Sequence, residues 1–105
     1  MSAHEAKFQL GQIIHHHRFD YIGVIFDVDP VFQGTDDWYE HVARSRPPKD
    51  KPWYHVLVNN AAHTTYVAEQ NLEAAVTPQP IAHPLAKRLL GDFDGERYSL
   101  RRRAN

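Results

Sequence analysis

Between residues 21 and 29 apolar and polar positions alternate, and this stretch anchors the reading of the chain. Ile22, Val24, Phe26 and Val28 fall on one face at period two, and Tyr21, Gly23, Ile25, Asp27 and Asp29 fall on the other. Such alternation predicts a β-strand with one buried face and one turned to water or a partner. Pro30 has no amide hydrogen, so it ends the strand or marks an edge. Upstream, residues 12–18 are β-prone, and Asp20-Tyr21 supplies a turn between the two strands. Residues 53–59 predict a third strand, with Tyr54, Val56 and Val58 on one face and His55 on the other. Asn59-Asn60 then turns the chain into a hairpin partner over 64–69.

The long interval between the second and third strands holds a short helix, expected over 36–45. Thr35 or Asp36 can cap it, Asp36, Asp37 and Glu40 sit near the positive end of its dipole, and Arg44 sits near the negative end. Trp38 and Val42 are four apart and share a face. Pro47-Pro48 stops the helix, and residues 46–52 read as an exposed loop. Beyond residue 70 the pattern weakens. Pro78, Pro80 and Pro84 interrupt it, residues 85–90 predict a turn or two of helix ended by Gly91, and 97–105 reads as a polar, basic tail. Four short strands and little helix predict a mainly β domain: a small twisted barrel with one short helix and an irregular C-terminal segment. Its expected core is Ile14, Ile22, Val24, Phe26, Val28, Val56 and Val58. The open strand edges of so small a barrel favour a homo-oligomer.

Composition narrows the class of protein. A chain of 105 residues is one domain, and 42% hydrophobic with 24% charged residues suits a folded, soluble protein. No apolar run approaches the roughly 20 residues of a membrane-spanning helix, and the start, Met1-Ser2-Ala3-His4-Glu5-Ala6-Lys7, lacks the apolar stretch of a secretory signal. The absence of cysteine excludes disulfides, thiol catalysis and cysteine-ligated zinc. It suits a reducing cytoplasm, the expected location. The net charge of -1 is unevenly spread: residues 1–80 hold six Lys/Arg against ten Asp/Glu, and residues 81–105 hold six against three. Contact with DNA is therefore expected of Lys87, Arg88, Arg97, Arg101, Arg102 and Arg103.

Candidate chemistry is sparse. Val24-Ile25-Phe26-Asp27-Val28-Asp29 resembles the nucleophile strand of haloacid dehalogenase-like phosphatases, where one carboxylate attacks phosphorus, the next is acid/base and magnesium bridges them. Here Pro30-Val31 replaces the Gly-Thr that follows there, and the chain is too short for that family's sheet. Exposed carboxylates that bond neighbouring donors explain the pair more simply. Eight histidines invite a metal reading: His15 and His17 share a strand face, and His55 and His63 could approach from other strands. Zinc or nickel needs three or four converging ligands, and hydrogen-bonded histidines on a sheet are the more economical reading, so no metal or cofactor is expected. Ser2, Ser45 and Ser99 lack a nucleophile-elbow context, and the glycines at 11, 23, 34, 91 and 95 form no phosphate loop. Nothing points to an enzyme. An aromatic β-surface is the remaining cue, and His16, Tyr21, Asp27, Asp29, Tyr54, His55 and Tyr66 are its expected partner-binding residues.

One ordered set of fragments resembles a known family. Phe8-x-x-Gly11-Gln12, His16, Tyr21-x-Gly23-Val24, Asp27-x-Asp29-Pro30-Val31-Phe32, Pro52-Trp53-Tyr54-His55-Val56 and Thr65-Tyr66-Val67-Ala68-Glu69 resemble the YccV-like family, which includes the heat-shock protein HspQ or hemimethylated-DNA-binding group. The resemblance implies a small SH3-like barrel and a non-enzymatic regulatory role. It also implies promotion of the degradation of unstable proteins, including the replication initiator, by the ATP-dependent protease Lon, and binding of hemimethylated origin DNA. His15 stands where relatives often have Arg, and the 33–51 segment has its own length and composition.

Overall fold

The computed structural model describes residues 5–101. Four strands form where the alternation predicts them: β1 (Ile13–His16), β2 (Tyr21–Asp29), β3 (Trp53–Val58) and β4 (Thr64–Ala68). Strand β1 is shorter than expected because the chain turns sharply at residues 17–20, with Asp20 in the left-handed region (φ 55) and its amide bonded to the His16 carbonyl at 2.7 Å. The helix α1 (Asp36–Val42) starts at its predicted cap, where Thr35 Oγ1 accepts from the Trp38 amide at 3.1 Å. It buries Tyr39 and, just beyond its end, Ala43, while Val42 stays outside.

Three further strands are not legible in the pattern. After a 3₁₀ turn (Glu69–Asn71) comes β5 (Leu72–Ala74). The C-terminal quarter holds a single helical turn, α2 (Ala86–Leu89), and a hairpin of β6 (Leu90–Phe93) and β7 (Tyr98–Leu100). The stretch 97–101 is thus no tail: Tyr98 and Leu100 pair with Phe93 and Leu90. Arg102 and Arg103 lie outside the described residues. No helix among the described residues is long and apolar enough to cross a membrane.

The expected mainly β class holds, but the sheet is not a closed barrel. Its order is β4-β3-β2-β1-β5, all antiparallel, so β4 and β5 are two edges. A flat sheet would set these edges about 19 Å apart, whereas the four residue steps from Ala68 to Leu72 reach about 14 Å at most. The sheet must therefore curl. It does so around Ile14, Ile25, Tyr54, Val56, Val67 and Leu72, a cluster to which both edges contribute.

The opposite face is also covered. Ile13, Val24 and Leu57 pack there against Ile81 and Leu90, with Leu85, Leu89, Phe93, Tyr98 and Leu100 around them. Strand β2 is therefore apolar on both sides, and Ile25, expected to face water, is fully buried. A β-bulge between Ile25 and Asp27 adds one residue at Phe26 and switches the faces beyond it. Ile22 and Phe26 consequently belong with Val24, whereas Val28 belongs with Ile25. All three are half-buried, less than expected.

Candidate functional site

The free edge of β4 forms the floor of a groove, a cavity of about 660 Å³. One wall is the β1–β2 turn with Arg18 and Phe19, and the other is the end of α1 with Val42 and Arg44. Phe19 is 74% exposed and Val42 55%, so each wall presents a large apolar side chain beside the strand edge.

His16 fixes the first wall. Its ring is buried, and Nδ1 accepts the amides of Arg18 (3.2 Å) and Phe19 (3.1 Å), so the turn is shaped from beneath. Burial, reinforced by His17 and Arg18, lowers its pKa and keeps the imidazole a neutral acceptor. The Phe19 and Tyr21 rings lie 4.8 and 5.0 Å from it. His15, on the other face, sits between Asp20 (2.7 Å) and Glu73 (2.8 Å). These two hydrogen bonds raise its pKa and tie the turn to β5.

The second wall rests on aromatic packing. Trp53 is fully buried, with Phe32 (4.8 Å), Tyr66 (5.2 Å) and Trp38 (6.0 Å) around it, and its Nε1 donates to the Pro48 carbonyl at 3.0 Å. Beside it runs a polar row across three strands: the Tyr66 hydroxyl donates to Asp29 Oδ2 (2.6 Å), and His55 Nε2 meets the same oxygen at 3.1 Å. Tyr66 also accepts the Gln33 amide at 2.9 Å, which holds the chain after β2 against the sheet. Burial and the Asp29 bond push the Tyr66 hydroxyl pKa far up, so it remains a donor.

The expected partner-binding residues thus separate. Tyr21, His55 and Tyr66 line the groove. Asp29 lies beneath Tyr66 and His55. Asp27 is exposed and accepts its neighbour's amide, from Val28, at 2.9 Å. Tyr54 is a correction: it is fully buried, its hydroxyl bonded to the buried Glu69 carboxylate (2.6 Å), because β3 turns it into the cluster inside the curl. It cannot anchor a partner. His16 does line the groove, but it is buried and shapes the site from below. Both carboxylates thus bond donors of the protein, Asp27 the Val28 amide and Asp29 two side chains of β3 and β4. His17 bonds the Gln70 carbonyl, and among the described residues no group of three or more His, Asp or Glu could hold a metal ion.

The basic set also divides. Lys87 and Arg88 lie on α2, and the Arg101 amide bonds the Leu89 carbonyl at 3.0 Å, so these three gather at one end of the C-terminal hairpin. Arg97 is at its far end, on a turn where Asp94 accepts the amides of Glu96 and Arg97 (both 2.9 Å). Those bonds lower the Asp94 pKa.

A family model described as hemimethylated DNA-binding protein YccV like matches residues 6–97. The chain belongs to the YccV-like family. It is also 33% identical to F-box only protein 21 of Pongo abelii and of Homo sapiens, and 32% identical to that of Mus musculus, over 93 residues in each case. Those matches cover 87% of this chain and span 15% of the length of each relative. No solved structure matches.

In this YccV-like chain the groove itself escapes sequence reading. Which strand becomes an edge depends on the pairing of β5 with β1, an association of distant residues. The available signal was Phe19, a large apolar residue between Arg18 and Asp20.

Proposed function

We propose that this YccV-like protein is a non-catalytic stress regulator of the HspQ type that promotes degradation of unstable proteins, the replication initiator among them, by the ATP-dependent protease Lon in the cytoplasm. The observation that carries this reading is the groove on β4, which combines a free strand edge with exposed apolar residues. That combination suits capture of polypeptide. The resemblance to HspQ supplies the protease. A reconstituted assay with Lon, ATP and a slowly degraded substrate tests it. Adding this protein is expected to raise the degradation rate several-fold, and an unchanged rate overturns the reading.

A second reading, binding of hemimethylated origin DNA, is supported by the family description and by Lys87, Arg88 and Arg101 meeting at one end of the hairpin. Methylation is read at base edges in the major groove, while Lys and Arg on phosphates only position a protein. The helix α1 is short and begins with Asp36 and Asp37, which is unsuited to that task. Weak, salt-sensitive binding with little methylation preference is expected. Neutralising Lys87, Arg88 and Arg101 should lower the salt slope by about one unit for each phosphate that is no longer paired with a cation. Titrations of hemimethylated, fully methylated and unmethylated duplexes at two salt concentrations measure this. A strong preference that survives the triple substitution would make the β-surface the reader.

A further inference from the structure

The geometry points to strand addition at β4: its free edge takes an extended polypeptide segment with acidic flanks, held between Arg18 and Arg44. This inference rests on the adaptor reading above and specifies how its protein partner is recognised.

The direction of the backbone groups follows from two bonds. The Glu69 amide donates to the Pro52 carbonyl directly opposite (3.1 Å), and on the other side of β3 the Asn59 amide donates to the Ile22 carbonyl (2.9 Å). Hydrogen-bonded and non-bonded pairs alternate along an antiparallel ladder. Val67–Tyr54 and Thr65–Val56 are therefore the bonded pairs of β4, and the N–H and C=O groups of Thr64 and Tyr66 point away from β3. No strand among the described residues pairs with that side. An unpaired edge of this kind is a template for another extended chain.

Charge selects the occupant. Residues 1–80 are net acidic, yet Arg18 and Arg44 are the charged residues lining the groove, one on each wall, with no Asp or Glu in the lining. Neither arginine makes an ion pair among the described residues, whereas Arg46 is held by Glu40 and Lys49 by Asp36. The slot is basic within an acidic body and is complementary to acidic flanks. A second copy of the chain would bring the same arginines to one interface, where like charges disfavour it. Phe19 and Val42 supply apolar contact for alternate side chains of the added strand, and His16 holds the Phe19 wall in place beforehand.

The test uses the full chain without protease and a short fluorescein-labelled peptide of alternating valine and threonine with glutamates at both ends. Fluorescence anisotropy is expected to show saturable binding, at least tenfold tighter than for the same peptide ended in lysines. Methylating the peptide's backbone nitrogens should abolish it. The exposed pair Arg18→Glu and Arg44→Glu should reverse the preference between the two peptides. Thr64→Pro removes an amide that faces the groove and leaves the ladder to β3 intact, so it should weaken binding while the other β4 amides keep their resonances. Absence of saturable binding, indifference to backbone methylation, or an unchanged charge preference in the double variant overturns the inference. So does a dimer by sedimentation that Thr64→Pro dissociates, since the edge then belongs to a second copy. Peptide binding without faster degradation would instead refute the Lon reading and leave the groove assignment standing.

Discussion

Replacing Trp53 with alanine is expected to destabilise the protein by about 3–5 kcal/mol, the usual cost of truncating a fully buried tryptophan. A domain of this size has roughly 5–15 kcal/mol in total, so the variant sits close to unfolding. The effect is large because Trp53 serves three structures at once. It belongs to the cluster with Tyr39, Ala43 and Ala68, meets Phe32 and Trp38 edge to face and Tyr66 at a tilt, and donates to the Pro48 carbonyl at the end of the α1 excursion. Urea unfolding followed by circular dichroism measures the destabilisation. A change below about 1.5 kcal/mol would mean that α1 collapses into the space and that the second groove wall is not rigid.

Gly11→Ala is expected to undock the C-terminal hairpin selectively. Gly11 has φ +85, and a Cβ there would overlap the Tyr98 carbonyl, which is backbone and cannot rotate away. The left-handed backbone costs alanine about 1–2 kcal/mol, and the forced displacement about 1–3 kcal/mol more. Gly11 is the joint itself: its amide bonds the Ile25 carbonyl at 2.7 Å and its carbonyl accepts from Tyr98 at 2.9 Å. Native-state hydrogen exchange should show the Tyr98 and Arg101 amides losing protection while those of β3 keep theirs. Uniform loss of protection across the molecule would show that the hairpin and sheet unfold as one unit. Because Lys87, Arg88 and Arg101 depend on this hairpin and the β4 edge does not, the variant also separates DNA affinity from peptide capture.

Local sequence settles those features whose causes are local. The alternation in β2 and β3, the Thr35 cap and the turn before Tyr21 each depend on residues a few positions apart, so they are legible and lie within a few residues of expectation. Asp27 is exposed and bonds its neighbour's amide, as expected, whereas Asp29 is half-buried and bonds Tyr66 and His55, 37 and 26 residues away, which no local pattern records. Tyr54 shares the face of Val56 in any reading of the pattern. Only the curl of the sheet shows that this face closes into a core with Glu69 inside it.

The mainly β class, the four central strands, the helix start and the family are all written in the chain read residue by residue. Three features emerge only once it is folded: both faces of the sheet are buried, 97–101 pairs in a hairpin, and β4 is left as an open edge beside Phe19 and Val42. The reason is the range of the interactions. A strand's period is set by successive Cβ atoms pointing to opposite faces, which one segment encodes. Its neighbours, its bulge and its covering are set by residues tens of positions apart, such as Gly11 with Tyr98 or His16 with Leu72. Short-range periodicity carries no record of those.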